Sequence, residues 1–394
     1  YSKLYFITMK RKIYKPSIRS NVSPFYVMNL LEKAKKMELE NKKVYHLELG
    51  EPQMKTPDLI KDEVQRLVKK GIAGYTPSNG IYPLRKKISE YYKRKYQVEV
   101  SEDRVFITTG SSGAFLLSFL LNFDKGDRVA IFNPVYPAYR NILKSLDIEV
   151  VEIYPDINER TINFKLIEKY KELDGVIISN PNNPNGQVFT DVELKYIYNF
   201  CKKYKIKLIS DEIYHGITYD LELKSCLNFG DETIIINSFS KYFCMPGWRL
   251  GWVIVPKSLT KNLLKLSQNI FISSGNIAQF AAIKAFECID NFDNVVKSYK
   301  ENRDKSLKIL EKMPLLEYSI PSGAFYFYVN IKKLKIDSSV FVKKLLNDTG
   351  VALTPGIDFD TRNGKKTIRI SFSSDQKSLL TGLNLLYKWY KTNY

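Results

Sequence analysis

The chain has 394 residues, 44% of them hydrophobic and 26% charged, which is the balance of a folded protein with a large core and not of a disordered one. No uninterrupted apolar run approaches the roughly 20 residues that cross a bilayer. The four cysteines, Cys201, Cys226, Cys244 and Cys288, form no C-x-x-C pair, and His46 and His215 are the only histidines. This argues against a disulfide framework, a zinc site and Ser-His-Asp chemistry, and it suits a reducing cytosol. The formal net charge of +19 raises nucleic acid as a partner. The lysines, however, are spread along the whole chain beside abundant Tyr, Ile and Asn, so a solvated basic surface is the reading adopted here.

In chain order, residues 1–31 carry several basic residues and no acidic one. The apolar patch Leu4–Ile7 is too short for a signal-peptide core, and a flexible arm docking on a partner subunit is expected. The chain opens with Tyr1, and Met9 is a candidate start, which would make the residues before it foreign. A weakly alternating stretch, Val44 to Leu49, ends at Gly50-Glu51-Pro52, where Gly50 allows a close backbone approach. Thr56-Pro57-Asp58 opens an amphipathic helix toward Lys70. Gly74-Tyr75-Thr76-Pro77-Ser78-Asn79-Gly80 reads as a loop, followed by Leu84, Ile88, Tyr91 and Tyr92 at helical spacing.

Short apolar runs then recur: Val105–Thr108, Val129–Phe132, Ile148–Ile153, Val176–Ser179, Lys207–Ser210, Ile234–Asn237 and Trp252–Val255. Amphipathic segments such as Leu166–Tyr170 and Val192–Tyr204 lie between them. This alternation predicts a mostly parallel sheet covered by helices on both faces, with ligands at the carboxyl ends of the strands. The residues just after the runs are accordingly the informative ones. Thr109-Gly110-Ser111-Ser112-Gly113-Ala114 leads into a helix start that offers N–H groups to a phosphate, yet it fits neither a Walker loop nor G-x-G-x-x-G. Asn133-Pro134-Val135-Tyr136-Pro137 presents an aromatic ring suited to stacking. Asn180-Pro181-Asn182-Asn183-Pro184-Asn185-Gly186 holds more turn residues than a turn needs. Asp211-Glu212 puts two carboxylates at a strand end without further metal ligands nearby. Ser238-Phe239-Ser240-Lys241 and Gly247-Trp248-Arg249-Leu250-Gly251 set hydroxyls, a lysine and an arginine between two buried runs.

Beyond Val255 one helical pattern runs from about Leu259 to Phe286 and another from Val295 to Glu311. A smaller α+β segment follows, with strands at Ala324–Val329 and Thr367–Phe372 and helices at Val340–Leu346 and Leu379–Lys388. Arg369 lies mid-strand between Ile368 and Ile370. Buried there, it needs an anion, from this chain or from a substrate.

Taken together, these motifs resemble the class I/II aminotransferases, the pyridoxal-phosphate enzymes of fold type I. The resemblance runs from about Leu49 to Phe372 and rests on L-E-L-G-E-P, G-Y-T-P-x-x-G, T-G-S-S-G-A, N-P-N-N-P-N-G, S-D-E-I-Y, S-F-S-K with G-W-R-L-G, and I-R-I-S-F, in family order. It implies an α/β fold, with a mostly parallel seven-stranded sheet sandwiched by helices and a smaller α+β C-terminal domain. The implied division is an N-terminal arm with a contribution to the small domain over 1–48, a cofactor domain over 49–286 and a small C-terminal domain over 287–394. It implies pyridoxal 5'-phosphate as the cofactor, covalently held by Lys241, whose amine then shuttles a proton as general base and acid. By the same resemblance Asp211 keeps the pyridine nitrogen protonated, Asn183 and Tyr214 bond the ring's phenolate oxygen, and Tyr136 stacks on the ring. Ser238, Ser240, Arg249 and the N–H groups of Ser111 and Ser112 form the phosphate cup, and Tyr75 reaches it from a second subunit. Arg369 clamps the substrate carboxylate, assisted by Asn183 and the Gly50 backbone.

The implied activity is amino transfer between an L-amino acid and a 2-oxo acid in a cytoplasmic homodimer, with no metal, membrane or nucleic-acid partner. Elimination or synthase chemistry on the same cofactor is the alternative. A DNA-binding regulator of this fold would carry an added winged-helix domain, and the stretch before the first motif is shorter than the about 50 residues at which domains start. Some departures stand out. Asn185, Cys244 and Pro246 differ from common family residues, and Ala114–Phe123 lacks the basic residue found in some acid-selective relatives, which argues against a preference for aspartate.

Overall fold

The seven apolar runs form one sheet, and their lack of alternation has a simple cause: most of their residues are buried, because helices cover both faces. The computed structural model describes residues 14–72, 74–154 and 164–394. In order, the elements are α1 (Tyr26–Leu39), β1 (Tyr45–His46), α2 (Asp58–Lys69), α3 (Tyr82–Tyr96), β2 (Val105–Thr108), α4 (Gly110–Asn122), β3 (Arg128–Phe132), α5 (Pro137–Ser145), β4 (Glu149–Ile153), β5 (Gly175–Ser179), α6 (Asp191–Tyr204), β6 (Lys207–Asp211), β7 (Ile234–Ser238) and β8 (Gly251–Ile254). There follow α7 (Thr260–Ile270), α8 (Asn276–Ala285), α9 (Ile289–Leu310), β9 (Glu317–Tyr318), β10 (Tyr326–Asn330), α10 (Ser338–Thr349), β11 (Val351–Ala352), β12 (Thr354–Pro355), β13 (Thr367–Ser371) and α11 (Gln376–Asn393).

The large sheet has the order β2-β8-β7-β6-β5-β3-β4, parallel except for β8, which runs against both of its neighbours. Successive residues of a strand enter opposite layers. Phe106, Ile131, Ile177, Ile209 and Ile236 pack toward α4 and α5, whereas Ile107, Phe132, Ile178, Leu208 and Ile235 join the core on the other face. That second core continues into the C-terminal part through Phe325, Phe327, Ile370 and Phe372. The antiparallel sheet β12-β13-β10-β9 forms there, and β1 pairs in parallel with β11. Helices α2 and α8 pack together, while α9 packs on α11, so the packing partner changes between α8 and α9.

Several expected elements differ in extent. The helical pattern from Leu259 to Phe286 is two helices, because Ile272 adopts a left-handed φ of +62° ahead of Ser273-Ser274-Gly275, and no helix continues through that conformation. The helix expected from Val295 already begins at Ile289, and all but the last residue of Leu166–Tyr170 falls in a 3-10 turn, Phe164–Lys169. Only Tyr45–His46 of the Val44–Leu49 stretch forms a strand, because the chain then changes partners: Leu47 N–H donates to Ala352 O, and Leu47 O accepts from Ser371 N–H. The expected docking arm over residues 1–31 lies partly outside the described residues. Its described part docks on its own chain, with Arg19 paired to Asp147 at 2.8 Å and α1 packed on β11 and β12. Among the described residues no helix is long and apolar enough to cross a membrane.

Candidate active site

Strands β2, β3, β5, β6 and β7 all end on one side of the sheet, and a cleft of about 230 Å³ opens there. Lys241 enters it from the loop after β7. That loop is closed on itself: Phe239 N–H donates to Leu250 O at 3.1 Å, Met245 N–H to Phe239 O at 2.9 Å, and Ser240 N–H to Ser238 Oγ at 3.0 Å. Cys244 and Arg249 both take left-handed φ values of +52°. Beneath the loop, Phe239 packs on Phe243 and Trp252, each with ring centroids 5.0 Å away. Lys241 Nζ donates to Gly50 O at 2.5 Å. Desolvation, aided by the charges of Arg369 and Arg249, lowers its pKa to about 8. Most of this amine stays protonated at neutral pH, but its unprotonated, nucleophilic share is far above that of an ordinary lysine.

Asp211 ends β6 and faces the same cleft. Its Oδ2 accepts a short bond from Tyr139 Oη and its Oδ1 accepts the Ile213 N–H at 3.1 Å. Burial pushes its pKa up to about 6, against those two donors and the charge of Lys241. The neighbouring Glu212 is held in a separate polar pocket, where it accepts from Ser225 Oγ at 2.9 Å and Cys226 N–H at 2.8 Å. Burial pushes it up to about 8 and pushes His215 beside it down to about 3. The strand-end carboxylates thus serve two separate places. No group of three metal-ligating side chains occurs among the described residues.

A third corner lies where α4 and β8 meet. Gly110 has φ +70°, and a Cβ there would stand 2.6 Å from Arg249 Nη2. One on Gly251 would stand 2.9 Å from the Gly110 carbonyl carbon. Only glycine permits this close approach. Thr109 gives no side-chain cap to α4, and Ser111 and Ser112 of its first turn line the cleft with Ser240 and Arg249. A helix start of this kind attracts an anion through its dipole and its free donors.

Arg369 faces the remaining side from β13 and is almost fully buried. Nη1 donates to Asn183 Oδ1 at 2.9 Å and Nη2 to Glu48 O at 2.8 Å, while Nε has no partner. Tyr326 and Phe359 lie against the guanidinium at 4.2 and 4.6 Å. No carboxylate of the described residues forms an ion pair with it. Among the described residues its charge is therefore met by neutral oxygens and aromatic faces, and its fork suits an anionic ligand.

Gly50, Ser111, Ser112, Tyr136, Asn183, Asp211, Tyr214, Ser240, Lys241, Arg249 and Arg369 all line this one cleft. Ser238 does not: it is buried behind Ser240, with the two hydroxyls 2.9 Å apart and its own proton available to Leu250 O at 3.0 Å. Tyr75 does not either, and is 85% exposed. Sequence reasoning missed Tyr139, Tyr326, Phe25, Val27 and Met28, which also line the cleft. Tyr139 carried a signal, being three positions after Tyr136 across the start of a helix. Tyr326 bonds Tyr214 through their hydroxyls at 2.7 Å, and its hydroxyl is the reason Gly50 has no side chain, since a Cβ there would lie 1.7 Å away. The α1 residues carried no local signal.

The family profile "Aminotransferase class I and II" matches residues 42–384. The valine–pyruvate aminotransferase of Mycobacterium tuberculosis is 38% identical over 379 residues, covering 95% of this chain and 98% of that protein. The (5-formylfuran-3-yl)methyl phosphate transaminase of Methanocaldococcus jannaschii is 39% identical, covering 92% and 96%. Among solved structures, an aminotransferase from Mycobacterium tuberculosis superimposes with a TM-score of 0.93 at 37% identity over 96% of this chain and 100% of that one. Agreement over this much of the sequence and of the fold leaves one assignment: the chain belongs to the class I and II aminotransferases, enzymes that move an amino group between an amino acid and a 2-oxo acid.

Proposed function

We propose that this aminotransferase works with pyridoxal 5'-phosphate, held at Lys241. The observation that carries the reading is the charge pattern of the cleft: Lys241, Arg249 and Arg369 line it, with no carboxylate of the described residues ion-paired to any of them, and the buried carboxylate of Asp211 lines it too. When bound, the cofactor supplies an aldehyde that takes up the amino group and a protonated ring that accepts the electrons freed at the substrate Cα. Ser111, Ser112, Ser240 and Arg249 hold the phosphate, with Ser238 orienting Ser240. Ionised Asp211, fixed by Tyr139 and the Ile213 N–H, keeps a ring nitrogen protonated. Tyr136 would cover one face of the ring, and Asn183 and Tyr214 would donate to its phenolic oxygen. Arg369, with Asn183 and the Gly50 backbone, orients the substrate by its carboxylate. Lys241 Nζ, with its lowered pKa, takes the proton from the substrate Cα and returns it at the end of the transfer.

A homodimer with shared sites completes this reading. The Tyr75 loop is anchored by Gln279 Nε2 to Thr76 Oγ1 at 2.8 Å and by Asn276 Nδ2 to Gly74 O at 2.7 Å, yet its tyrosine is exposed and lines no part of this chain's cleft. A phenol held out on an anchored loop suits a neighbour's phosphate cup. A cytosolic setting is supported by four buried cysteines that remain unpaired.

Titrating the purified protein with pyridoxal phosphate tests the reading. An amino donor should bleach the bound cofactor's visible band and a 2-oxo acid should restore it. No band, or a band that no donor changes, would sink it. Light scattering should give twice the chain mass, and a fully active monomer would rule out shared sites.

A further inference from the structure

We infer that the amino donor is a neutral, apolar amino acid and that Phe25, Val27 and Met28 at the start of α1 select it. The inference rests on the cofactor reading above and deepens it. Once that reading assigns Lys241 to the aldehyde, Arg249 to the phosphate and Arg369 to the α-carboxylate, the cleft lining of this chain has no cation left for a second carboxylate. The wall beyond Arg369 is made instead of Phe25, Val27, Met28, Leu49 and Tyr326.

That wall is built in. Phe25 packs edge-on against Tyr136 with ring centroids 5.9 Å apart, Val27 is buried, and Met28 leaves 54% of its surface open at the mouth. The start of α1 would itself attract an anion, but its donors are already taken. Asp358 accepts Tyr26 N–H at 2.9 Å on one carboxylate oxygen and Val27 N–H at 3.0 Å on the other. Asp358 therefore fixes the wall in place. At this wall a donor with a distal carboxylate would bury that group with no cation of this chain's lining to pair with it, which is costly. An aliphatic or aromatic side chain meets apolar surface and an adaptable methionine.

The test is a single-turnover panel on the holoenzyme, with alanine, valine, leucine, phenylalanine, aspartate and glutamate as donors and the bound cofactor's absorbance as readout. Leucine or phenylalanine should exceed aspartate and glutamate by about a hundredfold or more in kcat/KM. Acidic donors equal to or better than the apolar ones would overturn the inference and leave the cofactor reading intact. No conversion by any donor would overturn both. In a Met28→Ala variant, leucine should lose about tenfold while alanine changes little, and equal losses for the two would overturn the selecting role. Calorimetric titration of 4-methylpentanoate and of glutarate into the holoenzyme reads the same wall without turnover. Tighter binding of glutarate would contradict it.

Discussion

The two sides of the cleft are built differently. On the side proposed for the cofactor, Asp211 ends a strand of one sheet, and Asn183, Tyr136, the Ser111-Ser112 turn and the Ser240–Lys241 loop follow the ends of others. On the substrate side, Arg369 comes from β13, Tyr326 from β10, and Phe25, Val27 and Met28 from the start of α1, held there by Asp358. The first side is assembled by a local rule, since a parallel sheet gathers whatever follows its strands. The second is assembled by tertiary packing between segments more than 300 residues apart in the chain. This comparison predicts that damage on the cofactor side strikes all donors alike, and damage on the substrate side strikes them selectively.

The largest effect is expected at Asp211. Asp211→Ala should still take up cofactor through the phosphate cup but lose about a hundred- to a thousandfold in turnover with every donor. Steady-state kinetics across the panel checks this, and turnover near that of the unaltered enzyme would leave Asp211 a mere strand-end carboxylate. Arg369→Lys comes next. It keeps the charge and loses the planar fork, so kcat/KM should fall about ten- to a hundredfold, roughly one or two decades at about 1.4 kcal/mol each. Cofactor affinity and thermal midpoint should move much less, because no carboxylate of the described chain ion-pairs with Arg369. An unchanged kcat/KM in a well-folded variant would put the carboxylate clamp elsewhere.

Tyr139→Phe sharpens the comparison on the cofactor side with a smaller effect. Removing the hydroxyl takes away a donor that lowers the Asp211 pKa against its burial. The acid limb of the kcat profile should therefore shift to higher pH, with a loss of about two- to tenfold on the plateau. A lower plateau with an unmoved limb would make Tyr139 a packing residue only.

The smallest effect is on stability and lies on the substrate side. His46 bridges buried Glu48 at 2.7 Å and Glu38 of α1 at 3.0 Å, with Lys35 also bonded to Glu38 at 2.8 Å. The Glu48 hydrogen bond is the main cause that raises the His46 pKa above its ordinary value, despite burial. A raised folded-state pKa contributes stability that is fully present below the unfolded value of about 6.5 and fades as pH rises through the folded one. Thermal midpoints of His46→Gln and the unaltered protein should differ more at acidic than at alkaline pH. A difference that does not depend on pH would remove this latch between α1 and the strand leading to the clamp.

The same comparison explains what was legible beforehand. The seven strands were readable because burial on both faces leaves continuous apolar runs, and the residues after them were readable as turn clusters. Arg369 stood out because a charge between two isoleucines is anomalous in any strand. The break at Ile272 was not legible, since nothing in its side chain announces a left-handed backbone. Ser238 was expected in the cleft itself, but it lies one layer deeper, a distinction that spacing along a loop cannot make. Phe25, Val27 and Met28 look like any amphipathic helix start, and only the fold brings them to the cleft.

The central claim is that Lys241 is the covalent anchor, and it can be tested directly. The holoenzyme is reduced with borohydride, digested, and its peptides are mapped by mass. The account predicts the cofactor's mass on the peptide containing Lys241 and on no other of the chain's many lysines. Label on a different lysine, or none on a protein that holds the cofactor, would contradict it.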